Sequence, residues 1–175
     1  MSVGKLDATL PGLLELHGER SMTNTTVQAS VQPSKKTHNT VLVDIVELGE
    51  IDCGYGPKMH IQWVWETQEK KPSGYPFIIN RTYSFNFHKK SSLTKDLESW
   101  LDRKLREDEK CLAFVKSLKG KPAQLKIGRT KVEDKTFTAI KKVLPAGEHK
   151  LFPSGTYRTK EQWEAWHRMQ EGGEA

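Results

Sequence analysis

The sequence has no apolar run approaching the roughly 18 to 20 residues that a membrane-spanning helix needs. Its N-terminus also lacks the basic start and the apolar stretch of a secretory signal. Cysteine is scarce, because Cys53 and Cys111 are the only two and they form no CxxC pair. These absences predict a cytoplasmic protein with two free thiols, no membrane association and no disulfide framework.

Motifs that carry catalysis are missing as well. The chain has no P-loop, no GxGxxG, no HExxH and no CxxC. Ser91 and Ser92 lie close to His88 in sequence, but no GxSxG elbow or orienting acid accompanies them. This pattern indicates a binding protein and not an enzyme, with no cofactor.

Two weak candidates for a metal site remain in the sequence. Cys53, His60 and Cys111 are too scattered to predict a ligand set. An acidic group around the first predicted strand leaves a Mg²⁺-dependent nuclease open as an alternative. Its members are Asp44, Glu47, Glu50 and Asp52. Most of them fall on outward-facing strand or turn positions, which favours a solvated face and predicts no metal.

The charge balance is modestly positive. Lys and Arg number 28 against 22 Asp and Glu, which gives a net charge of +6. An excess of this size is compatible with a polyanionic partner, and equally with ordinary solubility. Hydrophobic residues make up only 35% of the chain, which suggests that part of it lies outside the core.

The composition divides the chain into three parts. Residues 1–38 predict a flexible tail, because their polar second half cannot bury enough surface to offset the entropy of ordering it. Residues 39–146 predict one folded domain. Residues 147–175 predict a polar C-terminal tail with a possible short helix over residues 159–170. The sequence leaves the oligomeric state open.

Within the domain, the period of the apolar residues predicts five strands and two helical segments. Alternation of period two predicts strands over residues 40–48, 59–66, 77–88, 123–129 and 136–144. Arg81 interrupts the apolar side of the third strand, which predicts a bulge near Asn80 and Arg81. Helical spacing from Leu93 to Leu105 predicts a helix capped by Ser91 or Ser92, and a second helical segment opens at Glu107.

The resulting element order is β-β-β-α-α-β-β. A helical insert between the third and fourth of five strands is the order of an OB-fold barrel. The sequence therefore predicts a mainly β protein with a five-stranded OB-like barrel and flexible tails.

An OB barrel binds oligomers across its second and third strands and the adjoining loops. In this chain those strands combine aromatic residues with nearby Lys and Arg, a pairing suited to base stacking and phosphate contact. The predicted nucleic-acid-binding residues are Lys58, Trp65, Lys70, Lys71, Arg81, Tyr83, His88, Lys89, Lys90, Arg129 and Lys131. The aromatic members have a second interpretation, because a small barrel also needs large side chains in its core.

The stretch from Tyr83 to Leu105, YSFNFHKKSSLTKDLESWLDRKL, resembles phage and prophage proteins that bind single-stranded DNA. A strand ending in a His-x-Lys-Ser turn leads there into a Leu-x-x-x-Leu-x-x-Trp helix, matched here by His88, Lys90, Ser91, Leu93, Leu97 and Trp100. VLVDIVELG and WVWET also resemble the first two strands of that family. The resemblance covers about residues 40–145. It implies an OB fold that coats single strands in phage replication or recombination.

The sequence thus predicts a single-stranded DNA-binding protein of phage type. The alternative is an interaction module of a replication or recombination complex without strong DNA binding. In that hypothesis the C-terminal tail recruits replication or recombination proteins through Trp163 and Trp166.

Overall fold

The computed structural model describes residues 32–171. Its elements are β1 (Thr37–Asp52), β2 (Pro57–Lys70), β3 (Pro76–Ser84), α1 (Ser92–Leu101), a 3₁₀ turn (Glu107–Glu109), α2 (Leu112–Ser117), β4 (Pro122–Val132), β5 (Lys135–Leu144) and α3 (Lys160–Glu171). The strands form one antiparallel sheet in the order β3-β2-β1-β4-β5, with β3 and β5 at its edges. The prediction of a mainly β fold is confirmed. Of the tail predicted over residues 1–38, residues 1–31 lie outside the described residues, and β1 already begins at Thr37.

The core lies between one face of the sheet and α1. Alternation along β2 and β3 sends Trp63, Trp65 and Tyr83 to the same face, where all three are buried. Trp100 of α1 packs edge-on against both tryptophans, with ring centroids 5.7 Å from Trp63 and 5.1 Å from Trp65. Leu97 completes the apolar face of the helix.

Local hydrogen bonds set the two ends of α1. The Ser91 side chain accepts the Thr94 backbone N–H at 3.2 Å, as the sequence predicts for a Ser cap. The helix ends at Leu101, because Asp102 adopts a left-handed backbone with φ 55° and its N–H bonds to the Glu98 carbonyl. The prediction that the helix continues to Leu105 is therefore wrong, although Leu105 still packs in the core.

Two details of the predicted third strand are also wrong. β3 pairs with β2 without interruption at Asn80 and Arg81, so there is no bulge at these residues. The strand ends at Ser84, since the Asn86 side chain accepts the His88 N–H at 3.2 Å and bends the chain into a turn. An arginine is tolerated on the inner side of β3 because its guanidinium finds a carboxylate, Asp96, at 3.1 Å.

The chain on either side of the predicted domain also contacts the sheet. The Ser34 backbone and side chain donate to the Glu69 carboxylate at the end of β2. On the outer face of β1 and β2, Leu151 and Tyr157 pack against a small cluster of valines. The part of the C-terminal tail that precedes α3 is therefore packed against the sheet.

Glu109 makes the stability of the fold sensitive to acid. The Arg103 guanidinium and the Arg106 backbone N–H donate to its carboxylate and lower its pKa from 4.5 to about 2. A depressed carboxyl pKa stabilises the fold above the unfolded value and loses that contribution as pH falls. We expect Glu109→Gln to lower the thermal midpoint at neutral pH. The difference in thermal midpoint between the variant and wild type should narrow as pH falls from 4.5 to about 2 in a calorimetric pH series. A difference in midpoint that does not change with pH would contradict this role of Glu109.

Candidate nucleic-acid interface

Every Lys and Arg between residues 103 and 119 forms an ion pair. Arg103 and Arg106 pair with Glu109, and Lys104 pairs with Glu98. Arg106 also pairs with Asp108, and the other pairs are Lys110 with Glu107, Lys116 with Glu47 and Lys119 with Asp44. These side chains leave little uncompensated charge for a polyanion. The acidic group of the first strand is thus partly paired too, at Asp44 and Glu47.

Cations without ion-pair partners in the described part of the chain line a cleft of about 370 Å³ between α1 and β5, here called the basic cleft. Its charged lining residues are Arg81, Lys90, Lys95, Asp96, Lys141 and Lys142. Arg81 is balanced by Asp96, but none of the four lysines forms an ion pair with any residue between 32 and 171. Ser92 and Ser99 add hydroxyl groups to the wall. The basic cleft therefore carries about four uncompensated positive charges.

Asp96 organises the floor of the basic cleft. It accepts the Tyr83 hydroxyl at 2.7 Å and contacts the Arg81 guanidinium at 3.1 Å. Arg81 also donates to the Ile140 carbonyl of β5 at 2.9 Å. Burial raises the pKa of Asp96, against the opposing effects of Tyr83 and Arg81, and raises the pKa of Tyr83 as well. The guanidinium of Arg81 therefore has a structural role and is not available to bind a phosphate.

A second cleft of about 630 Å³ adjoins the first one, because Lys90 lines both. We call it the β3 cleft. It lies between the start of β2 and the turn that follows β3, and its cationic wall consists of Lys58 and Lys90, with His88 beside them. Phe85 offers a half-buried ring, and Asn86 contributes an amide. Cations and a partly exposed aromatic ring thus occur together, the two groups that contact phosphates and bases of a single strand.

The structure separates the predicted binding residues into several groups. Lys58, His88 and Lys90 come together around the β3 cleft, and Lys89 is exposed beside them. Lys70 and Lys71 are exposed at the opposite end of β3, where β2 ends.

The remaining two cations lie on β4. Arg129 donates to the Pro33 carbonyl and to Thr138, so its role is at least partly structural. Lys131 is exposed near the tip of the β4–β5 hairpin.

Trp65 and Tyr83 need correction as stacking residues. Both rings are fully buried in the core, where Trp65 contacts Trp63 and Trp100 and the Tyr83 hydroxyl bonds to Asp96. A base cannot stack on a ring whose faces are covered. Arg81 likewise acts through Asp96 and the Ile140 carbonyl, not as an exposed cation.

Several exposed residues with binding chemistry were missed by the sequence prediction. Lys95 and Lys142 complete the basic cleft. Tyr55, in the turn between β1 and β2, is 88% exposed, and Phe137 on β5 is half exposed. An aromatic residue flanked by Gly54 and Gly56 in a hairpin turn was a usable signal, since a turn has no core for the ring to enter.

The predicted partner-binding residues Trp163 and Trp166 line a third cleft of about 670 Å³, here called the aromatic cleft. It lies between α3 and the β2–β3 turn. Tyr75 and Tyr157 supply two more rings, and the cations in its wall are Lys71 and Arg158. Trp163 and Trp166 are 47% and 39% exposed.

The described part of the chain shows no group of three or more His, Cys, Asp or Glu side chains placed to hold a metal ion. Between residues 32 and 171, no helix has the length and apolar character to cross a membrane. Cys53 and Cys111 are both exposed free thiols, as the sequence predicts. No protein-family model and no curated protein matches this chain.

Proposed function

We propose that this protein binds single-stranded DNA with little sequence preference, as a phage-type replication or recombination protein with an OB-like barrel. The observation that carries the proposal is the set of four lysines around the basic cleft, Lys90, Lys95, Lys141 and Lys142, which have no carboxylate partner between residues 32 and 171. By contrast, the cations between residues 103 and 119 are paired. Lysines without a carboxylate partner can neutralise the phosphates of a nucleic-acid backbone, although Lys141 also donates to the Thr130 hydroxyl at 3.2 Å.

The OB-like part of the proposal is supported by the edges of the sheet. β3 and β5 are the two edge strands, and Arg81 of β3 reaches the Ile140 carbonyl of β5. The helical insert lies between β3 and β4, and α1 covers the inner face of the sheet. The exposed aromatics Tyr55 and Phe137 occur near the β1–β2 and β4–β5 turns, the loops that such barrels use to bind oligomers.

The proposal is tested by fluorescence anisotropy with labelled single-stranded and double-stranded oligonucleotides over a salt series. Each phosphate contact contributes about −0.7 to the log-log salt slope for a single strand, so four lysines predict a slope near −3. We expect tighter binding to the single strand, because bases of a duplex are not available for stacking. Equal affinity for both forms at low salt would contradict the proposal.

The second candidate is a protein-interaction accessory module without strong DNA binding. The exposure of Trp163 and Trp166 on α3 favours it, since paired exposed tryptophans are typical anchors of protein interfaces. It predicts that removing residues after 159 abolishes capture of a replication or recombination protein and leaves the weak DNA binding unchanged.

A further inference from the structure

The outer face of β3 joins the β3 cleft to the aromatic cleft. Side chains alternate along a strand, so Ile78, Asn80, Thr82 and Ser84 face away from the core. Ile78 lines the aromatic cleft and Ser84 lines the β3 cleft. Asn80 and Thr82 lie between them and are exposed. The two clefts are therefore linked by a path of side chains that carries no negative charge.

We propose that the aromatic cleft is a base-stacking subsite for the same single strand, reached along the outer face of β3. This inference rests on the proposed function and extends it to a surface about 20 Å from the lysines of the β3 cleft, at ~3.4 Å per residue from Ile78 to Ser84. About six nucleotides cover that distance at the stacked spacing of ~3.4 Å.

The chemistry of the aromatic cleft suits a nucleotide. Its charged lining residues are both cations, Lys71 and Arg158, and Arg158 lies over the Trp163 ring at 6.0 Å. Trp163 and Trp166 meet edge to face with centroids 5.7 Å apart, and Trp163 also stacks against His167 at 6.0 Å. The two indoles are still 47% and 39% exposed, which leaves ring area for a base to contact. Tyr75 adds a ring that is 59% exposed. Rings flanked by cations are the combination that holds a base and its phosphate together.

The position of the aromatic cleft is fixed by contacts with the sheet. Tyr157, which lines it, packs on the outer apolar cluster, and its hydroxyl donates to Asp44 at 3.2 Å. Ser154 donates its backbone N–H to the buried carboxylate of Glu66 at 3.0 Å. These two attachments hold the segment before α3 against β1 and β2. The cleft is therefore part of the folded surface over which a bound strand would run.

The tryptophans provide the readout. Of the five, Trp63, Trp65 and Trp100 are buried in the core, and only Trp163 and Trp166 are exposed. Quenching of intrinsic emission by an oligonucleotide therefore reports on the aromatic cleft, and this measurement on the wild-type protein needs no variant. Oligothymidylates of about four and about twelve nucleotides both lie within the range of single-strand site sizes, about 4–16 nucleotides per OB fold.

The test compares wild type with Trp163→Ala/Trp166→Ala and with Met169→Ala, an exposed residue of α3 that does not line the cleft. We expect the twelve-mer to quench wild-type emission. In the double variant, the gain in affinity from the four-mer to the twelve-mer should shrink by about fivefold or more, the loss of one stacked base. Met169→Ala should keep the wild-type gain. Unchanged circular dichroism and core-tryptophan emission confirm that the double variant is folded.

Two other outcomes are distinguishable. If wild type binds the twelve-mer with unchanged emission, and the double variant keeps the full gain with length, this inference is overturned while the proposed function stands. In that case the aromatic cleft is left for a protein partner. If wild type binds neither oligonucleotide, the inference and the proposed function fail together.

Discussion

Replacing Lys90, Lys95 and Lys142 by alanine is expected to weaken single-strand binding by about 100-fold at ~0.1 M salt. Each lost phosphate contact reduces the steepness of the log-log salt dependence by about 0.7, so three lost contacts reduce it by about 2. If both proteins have the same affinity at 1 M salt, this difference lowers the affinity of the variant about 100-fold at ~0.1 M salt. The three side chains line the basic cleft and form no ion pair within residues 32–171. Their loss therefore leaves no carboxylate of that region unpaired. Anisotropy across a salt series measures both the affinity and the slope.

A matched control separates local contact from overall charge. Lys104→Ala/Lys110→Ala/Lys116→Ala removes the same number of positive charges from residues 103–119, where the cations are paired. We expect this variant to keep most of its affinity for the single strand. Its log-log salt slope should differ from that of wild type by no more than about 0.7, the contribution of one phosphate contact. If both triple variants lose affinity equally, binding follows net charge alone, and the basic cleft is not the site.

Arg81→Ala is expected to destabilise the fold by ~3 kcal/mol at neutral pH. The substitution leaves the carboxylate of Asp96, which is largely buried, with the Tyr83 hydroxyl alone, and it leaves the Ile140 carbonyl without its donor. Removing one partner of a buried charge pair costs about 3–5 kcal/mol, and the partial exposure of Arg81 places this case at the lower end. For a domain of this size the thermal midpoint should fall by roughly 10 °C.

The pH dependence identifies the cause of that loss. The pKa of Asp96 is already raised by burial, and losing Arg81 raises it further. A raised carboxyl pKa destabilises the fold where the group is ionised, and the penalty disappears as pH falls through the folded pKa. The loss in the free energy of unfolding caused by Arg81→Ala should therefore become smaller as the pH is lowered. Adding Asp96→Asn should recover most of it at neutral pH; a deficit that persists in the double variant would show that packing, not the stranded charge, is responsible.

Local periodicity in the sequence predicted most of the secondary structure. Period two in β2 and β3 placed Trp63, Trp65 and Tyr83 on one face, and helical spacing from Leu93 to Trp100 supplied the surface that covers them. The alternation alone did not show which face of the sheet is buried and which is exposed to solvent. The answer lies in α1, because its buried leucines and Trp100 need an apolar face to pack against.

The candidate site was less predictable, because a lysine in a sequence does not show whether it has a partner. Lys119 pairs with Asp44, 75 positions away, and Lys116 pairs with Glu47. Lys95 and Lys142 look no different in the sequence, yet they line one cleft and have no ion-pair partner among residues 32–171. The bulge predicted at Arg81 failed for the same reason, since its partner Asp96 lies on α1 and not on a neighbouring strand.

The most direct test of the account is a ¹⁵N–¹H NMR titration of the 20.0 kDa protein with a single-stranded oligothymidylate. The account predicts that amide shifts concentrate where β3 passes into α1, over residues 84–95, and at Lys141 and Lys142 on β5. Amides of α2 and the 3₁₀ turn, whose cations are paired, should stay in place. Shifts centred on those elements, or no shifts at an excess of oligonucleotide in low salt, would contradict it.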